Sequence, residues 1–215
     1  MGTLHTTPDK GFKTLSAQNR DIQKKRNIAM AEVYAVKDKT TISLISHLLE
    51  IRFSKQMSLV WQLGINLALR ISDLLSIRFS DVDGDRIFIR ESKTGKVANI
   101  ALNAKAQLLI KEIKQAHPDH QYIFQSYRSR LAKSKTPSPL SRRSVCNALE
   151  QVGQEVKLHL GTHSMRKTRG FHLYKETGDI ARVMKMLRHS SEGHTLRYIG
   201  ITQQEIDADF QDLVL

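Results

Sequence analysis

The sequence lacks the cysteines that a disulfide framework or a thiolate-based zinc site would need. Cys146 is the only cysteine among 215 residues, so an internal disulfide and a cluster of cysteine ligands are both excluded. Its neighbours Val145, Ala148 and Leu149 read as one face of a helix, which predicts a small core residue rather than a reactive thiol. Such a composition is typical of a cytoplasmic protein, whose thiols stay reduced.

Long apolar runs are missing as well. No segment approaches the ~20 consecutive apolar residues that a membrane-spanning helix requires. The first ten residues contain no apolar stretch like that of a signal peptide. We therefore expect a cytoplasmic protein without a membrane partner. Hydrophobic residues still make up 40% of the chain, which is enough to form a core and argues against general disorder.

Acidic residues are the third shortage, since 34 Lys and Arg stand against 21 Asp and Glu. The net charge of +13 favours a polyanionic partner such as nucleic acid, because binding to a polyanion releases counter-ions. A basic protein without such a partner remains the alternative at this point.

The hydrophobic pattern predicts mostly helices with one β-hairpin. Residues from Met1 to about Thr40 are polar and basic, and they read equally well as a basic, partly flexible arm or as a frayed terminus. Beyond them, apolar residues repeat at helical spacing. Arg86–Arg90 and Val97–Leu102 instead alternate like two half-buried strands joined by a turn. We predict an α+β, mainly α domain over residues 41–215.

Local signals indicate where the later elements begin and end. Gly178 is typical of the residue that follows a helix C-terminus, which predicts a helix over His163–Thr177. The short apolar run Tyr122–Phe124 reads as a strand. Side chains able to cap a helix N-terminus precede three further helical stretches: Asn103, Ser141 and Asp179.

Arg70 is out of place in the apolar pattern. It lies three residues after Leu67 and four before Leu74, so its guanidinium is near the core side whether the helix continues or turns there. A charged side chain is rarely placed in such a position unless something pairs with it. Arg70 is therefore the first indication of a functional site.

Five short motifs occur in a fixed order along the rest of the chain. They are Ala68–Leu74 (ALRISDL), Glu91–Gly95 (ESKTG), His163–Arg166 (HSMR), Leu187–Ser191 (LRHSS) and Thr195–Tyr198 (TLRY). Each motif alone is weakly specific. Together, from about Thr41 to Asp209, they give the chain a strong resemblance to the tyrosine recombinases, the phage integrase family.

The resemblance implies a mainly helical DNA breaking–rejoining fold with one small sheet, and a recombinase that needs no metal or other cofactor. A phosphodiester under attack gains negative charge, which fixed donors must stabilise where no metal does so. Arg70 and Arg166 match the family's phosphate clamp, for which planar, permanently charged guanidiniums are suited. His163 matches a histidine that assists proton transfer, and His189 matches a second hydrogen-bond donor to the same phosphate.

The resemblance also implies a covalent 3′-phosphotyrosine intermediate. Tyr198 matches the nucleophile, whose phenol needs a base and a positive field because its ordinary pKa is about 10. Lys93 matches the general acid that protonates the leaving 5′ oxygen. Lys96 is the competing candidate, expected instead to contact backbone phosphate. The phosphotyrosine retains the bond energy of the diester, so rejoining needs no nucleotide cofactor.

Three residues depart from the family pattern, although none of them removes a catalytic group. Ala68 and Arg188 stand where the family commonly has glycine, and Lys167 stands where it often has histidine. We therefore expect activity, with an altered local backbone at Arg188 as the main consequence.

The partner that the resemblance implies is double-stranded DNA with a specific recombination site. Forty residues are too few for the family's usual N-terminal core-binding domain, so the resemblance implies a short form. We expect it to be nucleoid-associated and to bind DNA with help from neighbouring protomers or from partner proteins such as accessory DNA-bending or directionality factors. We also expect a tetramer on synapsed DNA, with a tail helix of about residues 201–215 exchanged between protomers. Charge and position suggest five DNA contacts: Lys96, Arg128, Arg130, Arg142 and Arg143.

Two further functions stay open at the level of sequence. Type IB topoisomerases share this chemistry and relax supercoils, although the motif spacing favours recombinases. A non-catalytic DNA-binding regulator of the same fold would be expected to lack a catalytic group, and none is missing. A helix-turn-helix repressor is disfavoured because it leaves Lys93 and Tyr198 unexplained.

Overall fold

The computed structural model describes residues 33–126, 136–201, 207, 211 and 212. From Tyr34 onward these residues belong to one compact unit. Most of the predicted N-terminal arm, the candidate DNA contacts Arg128 and Arg130, and most of the predicted tail helix lie outside the described residues.

Two packed helices open the described chain. Helix α1 spans Lys39–Arg52 and α2 spans Lys55–Leu67. The side chains of Asp38 and Ser54 cap them by accepting backbone N–H groups of the first turn. Trp61 at the centre of α2 is fully buried, and its Nε1 donates to a backbone carbonyl of α1 at 3.1 Å. The helices predicted from apolar spacing are therefore present.

A small antiparallel sheet follows, with the order β1-β2-β3. Its strands are β1 (Val82–Asp83), β2 (Arg86–Arg90) and β3 (Val97–Ala101). The register pairs Arg86 with Ala101 and Arg90 with Val97. This confirms the predicted hairpin and adds one short strand to it. Three side chains of the inner face are buried, namely Ile87, Ile89 and Ala98.

The strand predicted at Tyr122–Phe124 is wrong. Tyr122 forms an isolated bridge with Arg78, and turn residues follow it. Ile123 and Phe124 are buried in the core, so the apolar run reflects burial rather than strand pairing. Its backbone makes individual hydrogen bonds instead of a strand ladder, for example from the Ile123 N–H to the Ile77 carbonyl at 3.0 Å.

Four of the remaining helices, α4 to α7, begin close to the predicted positions. Asn103, Ser141 and Asp179 each accept a backbone N–H of the following turn, and Gly178 has the positive φ of 64° expected after a helix. The helix predicted from His163 begins one residue later. The helices are α3 (Ile71–Ser76), α4 (Ala104–Ala116), α5 (Arg142–Glu155), α6 (Ser164–Thr177), α7 (Ile180–Leu187) and α8 (Glu192–Ile199).

Two clusters of buried apolar residues hold these elements together. The larger one joins α1 to α5 with the sheet. The smaller one fixes α6, α7 and α8 against the start of α3, through Ala68, Phe171, Val183, Leu187 and Ile199. Within the described ranges, no helix has the length and apolar character needed to cross a membrane.

Cys146 is not the core residue that its neighbours suggested. It is half-buried, and its Sγ donates to Oε1 of Glu150 at 3.2 Å. Val145 supplies the buried position, and Cys146 lies about 100° further around the helix. Burial raises the pKa of its thiol, and the hydrogen bond to Glu150 acts in the same direction.

Candidate active site

The first motif folds as a break between two helices. Helix α2 ends at Leu67, Ala68 adopts the left-handed conformation with φ 51°, and Arg70 occupies the N-cap position of α3. Arg70 is therefore at a junction rather than on a helical stripe. Its side chain is 21% exposed. The break also leaves the carbonyl of Ala68 free to accept a hydrogen bond from outside the helix.

Arg166, in the first turn of α6, donates a hydrogen bond to that carbonyl. It is 2% exposed, and its Nη1 donates to the Ala68 carbonyl at 2.6 Å while Nη2 donates to the carbonyl of Leu187. Two backbone carbonyls thus fix the guanidinium between the first and fourth motifs. Burial lowers the pKa of Arg166, although a guanidinium remains charged at neutral pH. Arg166 also hydrogen-bonds Tyr198, so its remaining donors face the site.

Tyr198 on α8 lies beside His163. The hydroxyl of Tyr198 is 3.1 Å from Nδ1 of His163, which occupies the N-cap position of α6. Burial raises the pKa of the Tyr198 phenol, and the charge of Arg166 partly opposes this. His163 is exposed as a residue, yet desolvation of its ring and the charge of Arg166 lower its pKa. At neutral pH the pair is therefore a protonated phenol next to a neutral imidazole that can accept its proton.

His189 follows α7 and packs edge-on against Tyr198, with ring centroids 4.8 Å apart. Its Nδ1 is 3.2 Å from Oγ1 of Thr195, and that hydroxyl donates its proton to the Ser191 carbonyl. Nδ1 must then be the donor to Thr195, which leaves Nε2 directed elsewhere. Burial, together with the charge of Arg166, lowers the pKa of His189 to about 4.

Glu91 is a buried carboxylate at the edge of this cluster. It is 2% exposed, and its Oε1 accepts from Nη1 of Arg70 at 3.3 Å and from Nη1 of Arg188. Oε2 accepts from the Thr94 hydroxyl at 2.8 Å. Burial raises the pKa of Glu91, but the Thr94 hydrogen bond and the charges of Arg188 and Arg70 outweigh it, and the net pKa is lowered.

The turn that carries Lys93 is anchored on both sides. Its neighbour Ser92 donates to Oδ1 of the buried Asp73 through its N–H at 2.9 Å and its hydroxyl at 2.6 Å. On the other side, Thr94 is bound to Glu91. The side chains of Lys93 and Lys96 are exposed. They do not join the cluster around Tyr198 in the part of the chain that the structure describes.

The structure thus brings together five of the six predicted catalytic residues: Arg70, His163, Arg166, His189 and Tyr198. Of the predicted DNA contacts, Arg142 and Arg143 are exposed at the start of α5. The charge of Arg142 also contributes to the lowered pKa of His163, so the start of α5 faces the cluster.

Several residues of the site were not predicted from the sequence. Lys167 places its Nζ 5.2 Å from the ring centroid of Tyr198, and the ring of His194 is 4.9 Å from that of His189. Glu91 and Asp73 organise the turn. All four lie in or beside the motifs, so proximity to a motif is the one signal that could have indicated them.

Comparison with known proteins identifies the family. A model of the phage integrase family matches residues 27–205. The chain belongs to this family. It is 37% identical over 150 residues to the probable integrase/recombinase YoeC of Bacillus subtilis (strain 168), a match that covers 69% of this chain and 79% of that protein. It spans about half the length of other curated relatives, which include a transposase and tyrosine recombinases.

Solved structures share the fold. The crystal structure of XerA recombinase superposes with a TM-score of 0.64 at 14% identity, covering 84% of this chain and 64% of that one. The XerH site-specific recombinase, bound to palindromic difH substrate in a post-cleavage complex, also gives 0.64 at 16% identity, covering 85% and 54%. The predicted family and fold, a mainly helical recombinase domain with a small sheet, are both confirmed.

Proposed function

We propose that this protein is a site-specific DNA recombinase in which Tyr198 attacks a phosphodiester and forms a 3′-phosphotyrosine. The observation that carries the proposal is the 3.1 Å contact between the Tyr198 hydroxyl and Nδ1 of His163, next to the buried guanidinium of Arg166. Nucleophile, proton acceptor and fixed positive charge are the parts that this reaction requires.

Cleavage begins when the Tyr198 oxygen attacks phosphorus and its proton passes to His163. The negative charge that develops on the non-bridging oxygens is met by the unused N–H groups of Arg166 and Arg70. The bond from phosphorus to the 5′ oxygen breaks, and Lys93 supplies the proton for that leaving oxygen. The products are a 3′-phosphotyrosine and a free 5′ hydroxyl.

Rejoining reverses these steps with a new 5′ hydroxyl as nucleophile. That hydroxyl attacks the phosphotyrosine, returns a proton towards Lys93, and expels Tyr198, which recovers its proton from His163. No bond energy is lost to water in either direction, so no nucleotide needs to be consumed. Exchange of strands then requires that the two hydroxyls come from different duplexes.

DNA is proposed to lie against the exposed start of α5 and the turn between β2 and β3. Arg142 and Arg143 are the first two residues of α5, and Lys96 lies at the turn.

We also propose a tetramer on synapsed DNA, with the C-terminal tail exchanged between protomers. Deleting the last twelve residues should then abolish synapsis before it abolishes cleavage, and the reverse order would contradict tail exchange.

A covalent selection tests the proposal without a known target site. The protein is incubated in EDTA with a library of duplexes, each randomised over a central segment and carrying one nick that lets the cleaved end diffuse away. Protein–DNA adducts that survive denaturant are sequenced. Convergence on one motif supports site-specific cleavage, whereas no adduct, or adducts without a shared motif, contradicts it.

A plasmid assay separates recombination from relaxation. Two copies of the selected motif are placed on one supercoiled plasmid and incubated with the protein. Recombined products, detected by a changed restriction pattern, are expected. Relaxed plasmid with the parental restriction pattern would instead favour a topoisomerase-like activity and contradict the proposal.

A further inference from the structure

One carboxylate serves two guanidiniums at the edge of the site. Glu91 is 2% exposed, while the side chains of Arg70 and Arg188 are 21% and 33% exposed. Both arginines reach the same oxygen, Oε1, through their Nη1 atoms. The three side chains together keep one net positive charge, and all of them are joined at a single buried atom.

The two contacts are unequal. Arg188 makes the close contact with Oε1, whereas Nη1 of Arg70 lies 3.3 Å away, longer than the ~2.8 Å that is usual for a charge-assisted hydrogen bond. Arg188 and Arg70 therefore compete for the same carboxylate oxygen. Arg70 contacts the carboxylate through Nη1 alone, so most of its donors remain available to a phosphate.

Arg188 is placed for this contact by an unusual backbone. It ends α7 in the left-handed conformation with φ 52° and immediately precedes His189. Residues other than glycine rarely adopt such an angle, because their Cβ crowds the backbone. The strain is compensated where the side chain gains a buried partner, and Glu91 is that partner.

We propose that Arg188 is a positioning residue that acts through Glu91 to hold the guanidinium of Arg70 oriented towards the scissile phosphate, with its charge not offset by the carboxylate. Its effect on cleavage rests on the proposed function. Without Arg188, the carboxylate pairs with Arg70 alone and offsets its positive charge. Without Glu91, two guanidiniums face each other unpaired, and repulsion displaces Arg70. Removing both leaves Arg70 without a competing carboxylate and without a repelling guanidinium, but also without its tether.

The geometry predicts that the effects of the two substitutions are not additive. Glu91→Gln and Arg188→Met should each slow single-turnover cleavage of the selected nicked duplex by about tenfold. The double variant should be slowed by about tenfold, not the hundredfold of independent effects. Arg188→Lys should restore part of the rate. Effects that multiply in the double variant, or an Arg188→Met rate equal to wild type, would overturn the proposal.

Two controls separate positioning from general structure. Glu155→Gln removes the carboxylate of the exposed Arg52–Glu155 pair and should leave cleavage unchanged. A duplex with an uncharged methylphosphonate at the cleavage position removes the charge that Arg70 would meet. On that duplex the defects of Glu91→Gln and Arg188→Met should shrink, whereas equal defects on both duplexes would indicate a merely structural role.

Chemical modification tests the contact in the absence of DNA. Phenylglyoxal reacts with accessible guanidiniums, and mass spectrometry reads its rate at Arg70. Glu91→Gln should raise this rate and Arg188→Met should lower it, relative to wild type. Equal rates in all three proteins would overturn the positioning role. If wild type formed no DNA adduct, the proposed function would fail while this measurement still decided the contact.

Discussion

His189 is a residue of the site whose charge should depend on what occupies it. Its pKa is lowered to about 4, so the imidazole is neutral at physiological pH in the free protein. Nδ1 already donates to Thr195, which leaves Nε2 without a proton in that state. A phosphate in the site would raise the pKa again through its negative charge. We therefore infer that His189 becomes a phosphate donor by taking up a proton when DNA binds.

The same shift makes the stability of the free protein depend on pH. The pKa of His189 is lower in the folded chain than the ordinary value of about 6.5, so the unfolded chain binds more protons between these values. The free energy of unfolding should be greatest above pH 6.5 and fall as the pH approaches 4. His163, with its lowered pKa, contributes in the same direction.

Chemical denaturation at a series of pH values measures this. His189→Gln should show a smaller loss of unfolding free energy between pH 6.5 and pH 4 than wild type does. His47→Gln, a change at an exposed histidine of α1, should follow the wild-type slope. An identical slope for wild type and His189→Gln would show that the imidazole is not held neutral by the fold.

The helices that carry the site residues pack so closely at Gly170 that a larger residue would not fit there. A Cβ at Gly170 of α6 would come within 2.8 Å of Cγ2 of Ile199 and 3.1 Å of Cδ1 of Leu187. Helix α8 can therefore approach α6 closely only because Gly170 has no side chain. That approach brings Tyr198, the neighbour of Ile199, to His163.

Gly170→Ala should thus shift α8. We expect the free energy of unfolding to fall by about 1–3 kcal/mol and cleavage to slow beyond what the remaining folded fraction explains. Gly193→Ala on α8 is the matched control, because nothing lies within 4 Å of its Cβ position. Urea denaturation and single-turnover cleavage measure both variants. Equal effects of the two substitutions would count against the close approach.

The turn between β2 and β3 presents two candidate acids. Ser92 and Thr94 fix its backbone through Asp73 and Glu91, and Lys93 stands between these anchors. Lys96 lies beyond them, where its side chain is exposed. The anchoring favours Lys93 as the general acid, because its backbone is held in a fixed position relative to Arg70.

A sulfur leaving group distinguishes the two lysines. Lys93→Ala should slow cleavage of an ordinary duplex by about 100-fold or more. A bridging sulfur in place of the 5′ oxygen leaves without protonation, so Lys93→Ala should cleave that duplex at nearly the wild-type rate. Lys96→Ala should show the same modest defect on both duplexes. Rescue of Lys96→Ala rather than Lys93→Ala would reassign the acid.

The elements show which parts of the fold can be predicted from sequence. Caps such as Asn103 and Asp179 act within one turn, so their local pattern was sufficient. The prediction of a strand at Tyr122 was wrong because its apolar neighbours are buried by elements distant in the chain and do not pair with another strand. The pairing of Arg188 with Glu91 joins residues 97 positions apart. A local sequence pattern cannot predict a contact between residues so far apart in the chain. The only signal in the sequence was that Arg188 stands where the family commonly has glycine.

At the scale of the whole molecule, charge governs association with DNA. A net charge of +13 predicts affinity that falls steeply with salt, by about 0.9 in the logarithmic slope for each phosphate contact. Arg142 and Arg143 are exposed at the end of α5 that faces the cluster. Arg52 pairs with Glu155 at the opposite end of α5, about 20 Å away.

Binding isotherms at several salt concentrations test this surface. The joint variant Arg142→Ala with Arg143→Ala should reduce the slope by about two, and Arg52→Ala should leave it unchanged. A slope that Arg142 and Arg143 do not influence would move the DNA away from the start of α5.

Tyr198 as nucleophile is the central claim, and one covalent assay tests it most directly. Wild type, Tyr198→Phe and Tyr122→Phe are each incubated in EDTA with the nicked duplex library, and adducts are resolved on a denaturing gel and mapped by peptide mass spectrometry. Wild type and Tyr122→Phe should form an adduct with the nucleotide on Tyr198, and Tyr198→Phe should form none. An adduct from Tyr198→Phe, or its absence from wild type, would contradict the account.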